Sequence, residues 1–425
     1  LSYLYPRISC RFFTIASQSN CLSLHDFIIN TVIRRVKSKN YPVVKKNEIS
    51  TLTCRCLRHT RKAEFKYDLM RRALLCLATL LTCSVLLSQE LKLPEFYRLR
   101  EQKAPQAVKN RIEAAKNEIK ARNLQFIVSY TSVADLPLER ITGLKKLSPD
   151  ESRQLNIRMK KKLELLREKE ETENTNDTNL KGKHSRPQRP VSYAYGNPGM
   201  ASLDLRDQRL VTEVREQGSS GTCWAFAAMA AYESSYKIIN GDFINASEQH
   251  IINCSGAGNS SAGWMAPVFD WMVDNSKNVD NERSTPYTGT DGRCRPTTPQ
   301  TDFFAASWGI VDPSGDLWKI PAVAQIKESI CRYGAVVSAL YADQLFQLYS
   351  GGVFFSFPSG EHSNVNHAVT IIGWNDSQQA WLIKNSWGPD WGSDCGKGMT
   401  FGYMWIKYNS SNIGVHSLWV RAKKS

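Results

Sequence analysis

The sequence predicts an α+β domain filling the second half of the chain, and three observations carry that prediction. Helical signals come before strand signals. An apolar, Ala-rich run follows Cys223, whereas from Phe303 onward runs rich in Val, Ile, Tyr and Trp alternate with turn residues. All eleven tryptophans of the 425 residues lie after residue 200. The charge divides at the same place: residues 201–425 hold 17 Lys and Arg against 21 Asp and Glu, a net of −4, while residues 1–200 hold 38 against 19, a net of +19. The overall +15 and the pI near 9.3 therefore belong to the leading half, which argues against nucleic-acid binding by the packed domain.

Before that domain the chain reads in three parts. The first methionine is Met70, followed by Arg71-Arg72 and an uncharged, mostly apolar run from Ala73 to Leu87. A basic start, a short apolar core and a polar exit describe a signal peptide over 70–89, with its exit near Ser84 to Gln89. The run is shorter than the roughly 20 residues of a comfortable membrane span. Residues 1–69 then read as an upstream, non-native extension, disordered or artefactual. The rival reading makes them a cytoplasmic tail and 73–87 an anchor. Residues 90–192 are rich in Lys, Glu, Arg and Leu, and Ala107–Asn123 and Pro149–Glu171 read as charged helices with narrow apolar stripes. From Thr172 to Pro190 apolar residues nearly vanish, a disordered and protease-accessible composition.

Within the domain (193–425), a Gly-rich loop, Gln217-Gly-Ser-Ser-Gly-Thr, ends at Cys223 where a helix begins and runs to Ile239, stopped by Asn240-Gly241. A thiol in a first helical turn meets free amides and the positive end of the dipole, so its pKa is expected to fall. Val336–Leu340, His367–Trp374, Ala380–Lys384 and Tyr403–Lys407 read as strands. His367 and Asn385 are the candidates for a base and its orienter. His362, in a polar Glu-His-Ser context, is the weaker competitor for the base. No residue spacing suggests a metal site.

Three blocks in order now carry a resemblance: Val-Arg-Glu-Gln-Gly-Ser-Ser-Gly-Thr-Cys-Trp-Ala-Phe, Val-Asn-His-Ala-Val-Thr-Ile-Ile-Gly-Trp, and Trp-Leu-Ile-Lys-Asn-Ser-Trp-Gly-Pro-Asp-Trp-Gly. The chain resembles the papain/cathepsin family of cysteine proteases over residues 201–425. The resemblance implies a papain-like two-lobed fold, a helical lobe and a β-barrel-like lobe with the cleft between them. It implies Cys223 as nucleophile, His367 as base, Asn385 as the residue that fixes the imidazole, and Gln217 as an oxyanion donor beside the Cys223 amide. By the same resemblance Trp387 is expected to shield the His–Asn pair, and Gly263, Trp264, Met265, Ala339, Asn366, Ala368, Trp387 and Leu418 are expected at the substrate cleft. Glu233 and Glu248 fall where the family has structural glutamates. Residues 90–192 take the place of an inhibitory propeptide, Phe126–Glu139 resembling its strand and turn, with the activating cut between the Thr172–Pro190 stretch and about Met200.

The resemblance also pairs Cys254 with Cys294. It assigns no partner to Cys331 or Cys395, which are left as candidates for bonding to each other, and Cys223 is the odd thiol expected of a secreted protein. Ser220 and Ser260-Ser261 stand where the family has one disulfide, Ile413 replaces a third cysteine, and the usual Gly-Gly wall reads Ala262-Gly263. Six sequons, at Asn176, Asn245, Asn253, Asn259, Asn375 and Asn409, suit a glycoprotein. The expected protein is a secreted or lysosomal endopeptidase made as a zymogen and monomeric, without cofactor or stable membrane association. Its expected partners are polypeptide substrates, its own propeptide and cystatin-like inhibitors. The alternative is a catalytically silent papain-fold binding or structural glycoprotein, which an altered Cys, His or Asn would have favoured.

Overall fold

The computed structural model describes residues 93–179, 195–295, 301–357, 361–362, 364–398 and 400–425. The expected signal peptide, the extension before it and the linker from 180 to 194 lie outside these residues. Among the described residues no helix is long and apolar enough to cross a membrane.

The charged N-terminal stretch folds as its apolar stripes require. Helix α1 (Glu95–Gln102) is followed by α2 (Gln106–Ala121), which enters after Pro105 and buries Val108, Ile112 and Ala115 along one face. Strand β1 (Phe126–Val128), a single turn α3 (Leu138–Ile141) and the long α4 (Pro149–Asn179) complete the segment. Helix α4 passes the expected end at Glu171. Once a helix is nucleated each further residue adds a hydrogen bond, so the Glu-rich stretch extends it to Asn179.

The second half begins with β2 (Ser202–Asp204) and α5 (Cys223–Asn240). Its small residues let α5 bury almost its whole circumference, and Gly241, at φ +83°, terminates it by donating to Lys237 O. Helices α6 (Glu248–Cys254) and α7 (Met265–Val273) pack beside it. The remaining elements are β3 (Ala305–Ile310), α8 (Val323–Tyr333), β4 (Val336–Leu340), α9 (Gln344–Leu348), β5 (Tyr349–Phe354), β6 (His367–Asn375), β7 (Ala380–Lys384), β8 (Tyr403–Lys407) and β9 (Val415–Ala422). The strands run in the order β1-β5-β8-β7-β6-β4-β9-β3, with β2 added on β6, and only β5 and β8 pair in parallel. The four strands expected from the sequence are β4, β6, β7 and β8.

Two apolar cores result. One lies around α5, α6, α7 and the β3–β9 end of the sheet, the other around β5 to β8, α8 and the N-terminal segment. They meet where α5 and β6 begin, which puts Cys223 and His367 at the junction. The N-terminal segment is built into the second core. Phe96 and Tyr97 pack on Phe401, Tyr97 Oη donates to Gly392 O at 2.8 Å, and β1 pairs antiparallel with β5.

Cys254 and Cys294 are disulfide-bonded. Cys331 and Cys395 do not bond to each other, contrary to the pairing the odd count left open; both are free. Cys331 is fixed in α8 with its sulfur facing Gly196, while Cys395 sits in a left-handed turn with its amide on Ser393 Oγ. Cys331 is buried and Cys395 half-buried, and desolvation pushes the two thiols up to about 11 and about 12.

Candidate active site

The site assembles from the start of α5, the start of β6 and the turn after β7. Cys223 is the first residue of α5 and is fully buried. His367 opens β6, and its Nε2 lies 2.8 Å from Asn385 Oδ1. An amide oxygen can only accept, so Nε2 carries the proton and Nδ1 keeps its lone pair. Nδ1 has no hydrogen-bond partner among the described residues. The next residue, Ala368, directs its backbone N–H at the Cys223 sulfur, so the base's strand abuts the thiol. Trp387 stacks 4.6 Å from the His367 ring and excludes water from the His–Asn bond, where a hydrogen bond counts for more.

Gln217 joins the same constellation. Its backbone N–H donates to Ser386 O at 2.8 Å, and its Oε1 accepts from Ser386 Oγ at 2.6 Å. This leaves Nε2 as the donor, directed at Ser220 O (2.6 Å) and at Ile141 O (3.1 Å). The sequence did not mark out Ser386 as the residue that orients this amide.

Residues 141–145 of the N-terminal segment occupy the cleft. Gly143 N donates to Cys223 Sγ at 3.3 Å, and Ile141 O takes bonds from Gln217 Nε2 and Trp387 Nε1, each at 3.1 Å. On one wall Gly263 N donates to Gly143 O (2.9 Å) and Lys145 N to Gly263 O (3.3 Å). On the other, Leu144 N donates to Asn366 O at 3.0 Å. Trp264 Nε1 closes the exit by donating to Lys145 O at 2.9 Å. Met265, Ala339, Ala368 and Leu418 are buried in the same apolar core as Leu144. Gly143 is the one glycine between residues 90 and 181, and a Cβ there would lie 1.8 Å from Gly221 O. That lone glycine was the signal available in the sequence.

The electrostatics correct one expectation. The Cys223 thiol is pushed up to about 11 by burial, which outweighs the amides of Ala368, Gly143, Trp224 and its own that act to lower it. Burial likewise holds His367 down to about 4. The helix start still favours the thiolate, but for a fully buried sulfur with a peptide segment on it the loss of water is the larger effect.

The loop around the thiol lacks the family's crosslink but is tied otherwise. Gly221 N donates to Ser260 O at 2.8 Å and Ser220 Oγ to Gly289 O at 2.7 Å. Glu233 accepts from Ala246 N and from Thr212 Oγ1, as a structural carboxylate should.

The papain family cysteine protease profile matches residues 200–421. The chain belongs to this family. Zingipain-2 of Zingiber officinale is 32% identical over 194 residues, 45% of this chain and 83% of that one. Cathepsin S of Bos taurus is 34% identical over 218 residues, 50% of this chain and 61% of the relative. Among solved structures, digestive procathepsin L2 proteinase from Tenebrio molitor larval midgut aligns with a TM-score of 0.55 at 26% identity, covering 77% of this chain and 92% of that chain. The proform of the Amb a 11 cysteine protease, a ragweed pollen allergen, gives 0.55 at 21% identity, covering 77% and 92%, a likeness of fold. The papain-like α+β fold is thus present together with its pro-segment.

Proposed function

We propose that this papain-family protein is the zymogen of a secreted or lysosomal cysteine endopeptidase, with residues 90–192 as propeptide and the activating cut between the linker and about Met200. The observation that carries the reading is the pro-segment backbone lying in the cleft beside Cys223 and Gln217, with Gly143 N on the sulfur, Ile141 O on the Gln217 amide and Leu144 N on Asn366 O. Removing that segment readmits water and restores the conditions in which a thiolate–imidazolium pair is stable. His367 Nδ1 then takes the thiol proton and Cys223 Sγ attacks the peptide carbonyl. Gln217 Nε2 and the Cys223 amide hold the oxyanion, and the imidazolium protonates the leaving amine. Water attacking the acyl-enzyme with His367 as base completes hydrolysis. Gly263 and Asn366 supply the backbone bonds for a peptide substrate, and the pocket that holds Leu144 favours an apolar side chain. Entry to the secretory route is assigned to the signal peptide beginning at Met70.

The test is labelling by a thiol-reactive epoxide peptide after mild acid treatment, read by intact mass beside Cys223→Ala. Label confined to Cys223 on a shortened polypeptide is expected. A folded, processed sample that takes no label would sink the reading in favour of a silent homologue.

A further inference from the structure

Beyond the cleft, α4 makes a second set of contacts with the catalytic domain. Leu155 and Met159 are buried in its helical-lobe core. Asn156 Nδ2 donates to Asp316 Oδ1 at 3.0 Å, and Asn156 Oδ1 accepts from Leu317 N at 3.0 Å. Lys162 Nζ donates to Asp270 Oδ1 at 2.6 Å and to both Asp274 oxygens at 3.0 and 3.1 Å. The same ammonium stands 4.4 Å from the centroid of the Trp308 ring. Arg167 Nη2 reaches Pro313 O. Residues 155, 156, 159 and 162 fall on one helix face, the spacing a docked amphipathic helix requires. Two carboxylates and an indole face around one ammonium form a lysine-reading cage, because each lowers the energy of the same charge from a different side.

We propose that Asp270, Asp274, Trp308, Asp316 and Leu317 form a second recognition site on the catalytic domain, separate from the cleft, for a lysine-bearing amphipathic helix. Its occupant is the 155–167 part of α4, and it retains the pro-segment after the linker is cut. The inference rests on the zymogen reading. The linker following Asn179 lies beyond both contacts, so its scission breaks neither of them. The α4 face acts beside the cleft strand and the β1–β5 anchor: each contact raises the effective concentration of the segment at the others, and release requires all three to open together.

The experiment uses the full chain carrying Cys223→Ala, which removes self-cleavage, with a site for an added sequence-specific endoprotease placed within residues 180–190. After the cut, gel filtration follows retention of the pro-segment over time. Lys162→Glu is expected to speed release by about tenfold or more, the scale of a charge-assisted contact. Asp270→Asn with Asp274→Asn should do the same from the other partner, which covers the case of a misfolded helix variant. Asp274→Lys combined with Lys162→Glu should restore retention, and Ile157→Glu, at a position 53% exposed, should leave it unchanged. Equal release from the parent, Lys162→Glu and the double Asn variant would overturn the proposal. Because retention is read without hydrolysis, the two readings fail separately: a processed chain with Cys223 intact that shows no peptidase activity defeats the endopeptidase assignment, whereas equal release defeats only the docking site.

Discussion

Asn385 Oδ1 accepts from His367 Nε2 and also from Ser386 N, each at 2.8 Å, so the amide cannot flip without losing both bonds. Asn385→Ala frees the ring, and kcat/KM of the processed enzyme should fall by about 10- to 100-fold, the worth of one hydrogen bond to a group that becomes charged. Gln217→Ala should cost on the order of 10²–10³ in the same quantity, with the thiol still titratable by the epoxide. Gly143→Ala tests the opposite state. Its Cβ would meet Gly221 O at 1.8 Å and Gly221 is itself wedged against Ser261, so the segment must leave the cleft. The uncut precursor should then label at Cys223, whereas the parent precursor should not. Cys223, His367, Asn385 and Gln217 were legible in the sequence because each lies inside a short motif. Gly143 was not, since its constraint comes from a loop distant in the chain. His416 escaped for a related reason: nothing in Val-His-Ser-Leu says that both its nitrogens are buried between Trp264 and Trp318 without hydrogen-bond partners among the described residues.

At the scale of elements, α5 tests how a helix end is paid for in backbone geometry alone. Gly241 holds φ +83°, and among the described residues nothing beyond its own chain neighbours lies within 4 Å of where its Cβ would be. Gly241→Ala should therefore destabilise by about 1 kcal/mol through conformation and not through a clash, a loss measurable as a lower urea midpoint with unchanged slope. Helix and strand signals succeeded where one face is polar, as in α2, and where runs of Val and Ile are bounded by turns, as in β4 and β6. They failed at β9, whose residues are buried almost throughout, so no alternation marks it, and His416 there adopts φ +54°. They failed at the end of α4, where composition pointed to disorder but the helix continued from its docked portion.

For the whole molecule, burial sets the response to acid. His367 is held down to about 4 and His416 to about 3 against an ordinary 6.5. The unfolded chain therefore binds more protons than the folded one between those values. Stability from these two residues is complete above about pH 6.5 and is lost as pH falls through their folded values. Glu233 and Glu248, whose burial pushes them up, act with the opposite sign because the folded chain holds their protons longer as pH rises. Isolating one histidine separates the two effects. In His416→Asn, a residue that tolerates the left-handed backbone, the pH slope of unfolding free energy between about 4 and 6 should flatten by up to about 1.4 kcal/mol per pH unit. An unchanged slope in urea melts at several pH values would refute the assignment.

The pairing of β1 with β5 has a consequence for the protein after maturation. Phe126 lies opposite Gly352 and packs on Tyr349 and Phe354, so under the proposed zymogen reading the catalytic domain's sheet is completed by a strand that maturation removes. Departure of the pro-segment would bare the outer amides and carbonyls of residues 349–353 beside an apolar surface, an unprotected sheet edge of the kind that invites strand addition by another chain. The mature form should therefore be the more self-adhesive of the two, and the precursor the better form in which to fold, store and carry the protein.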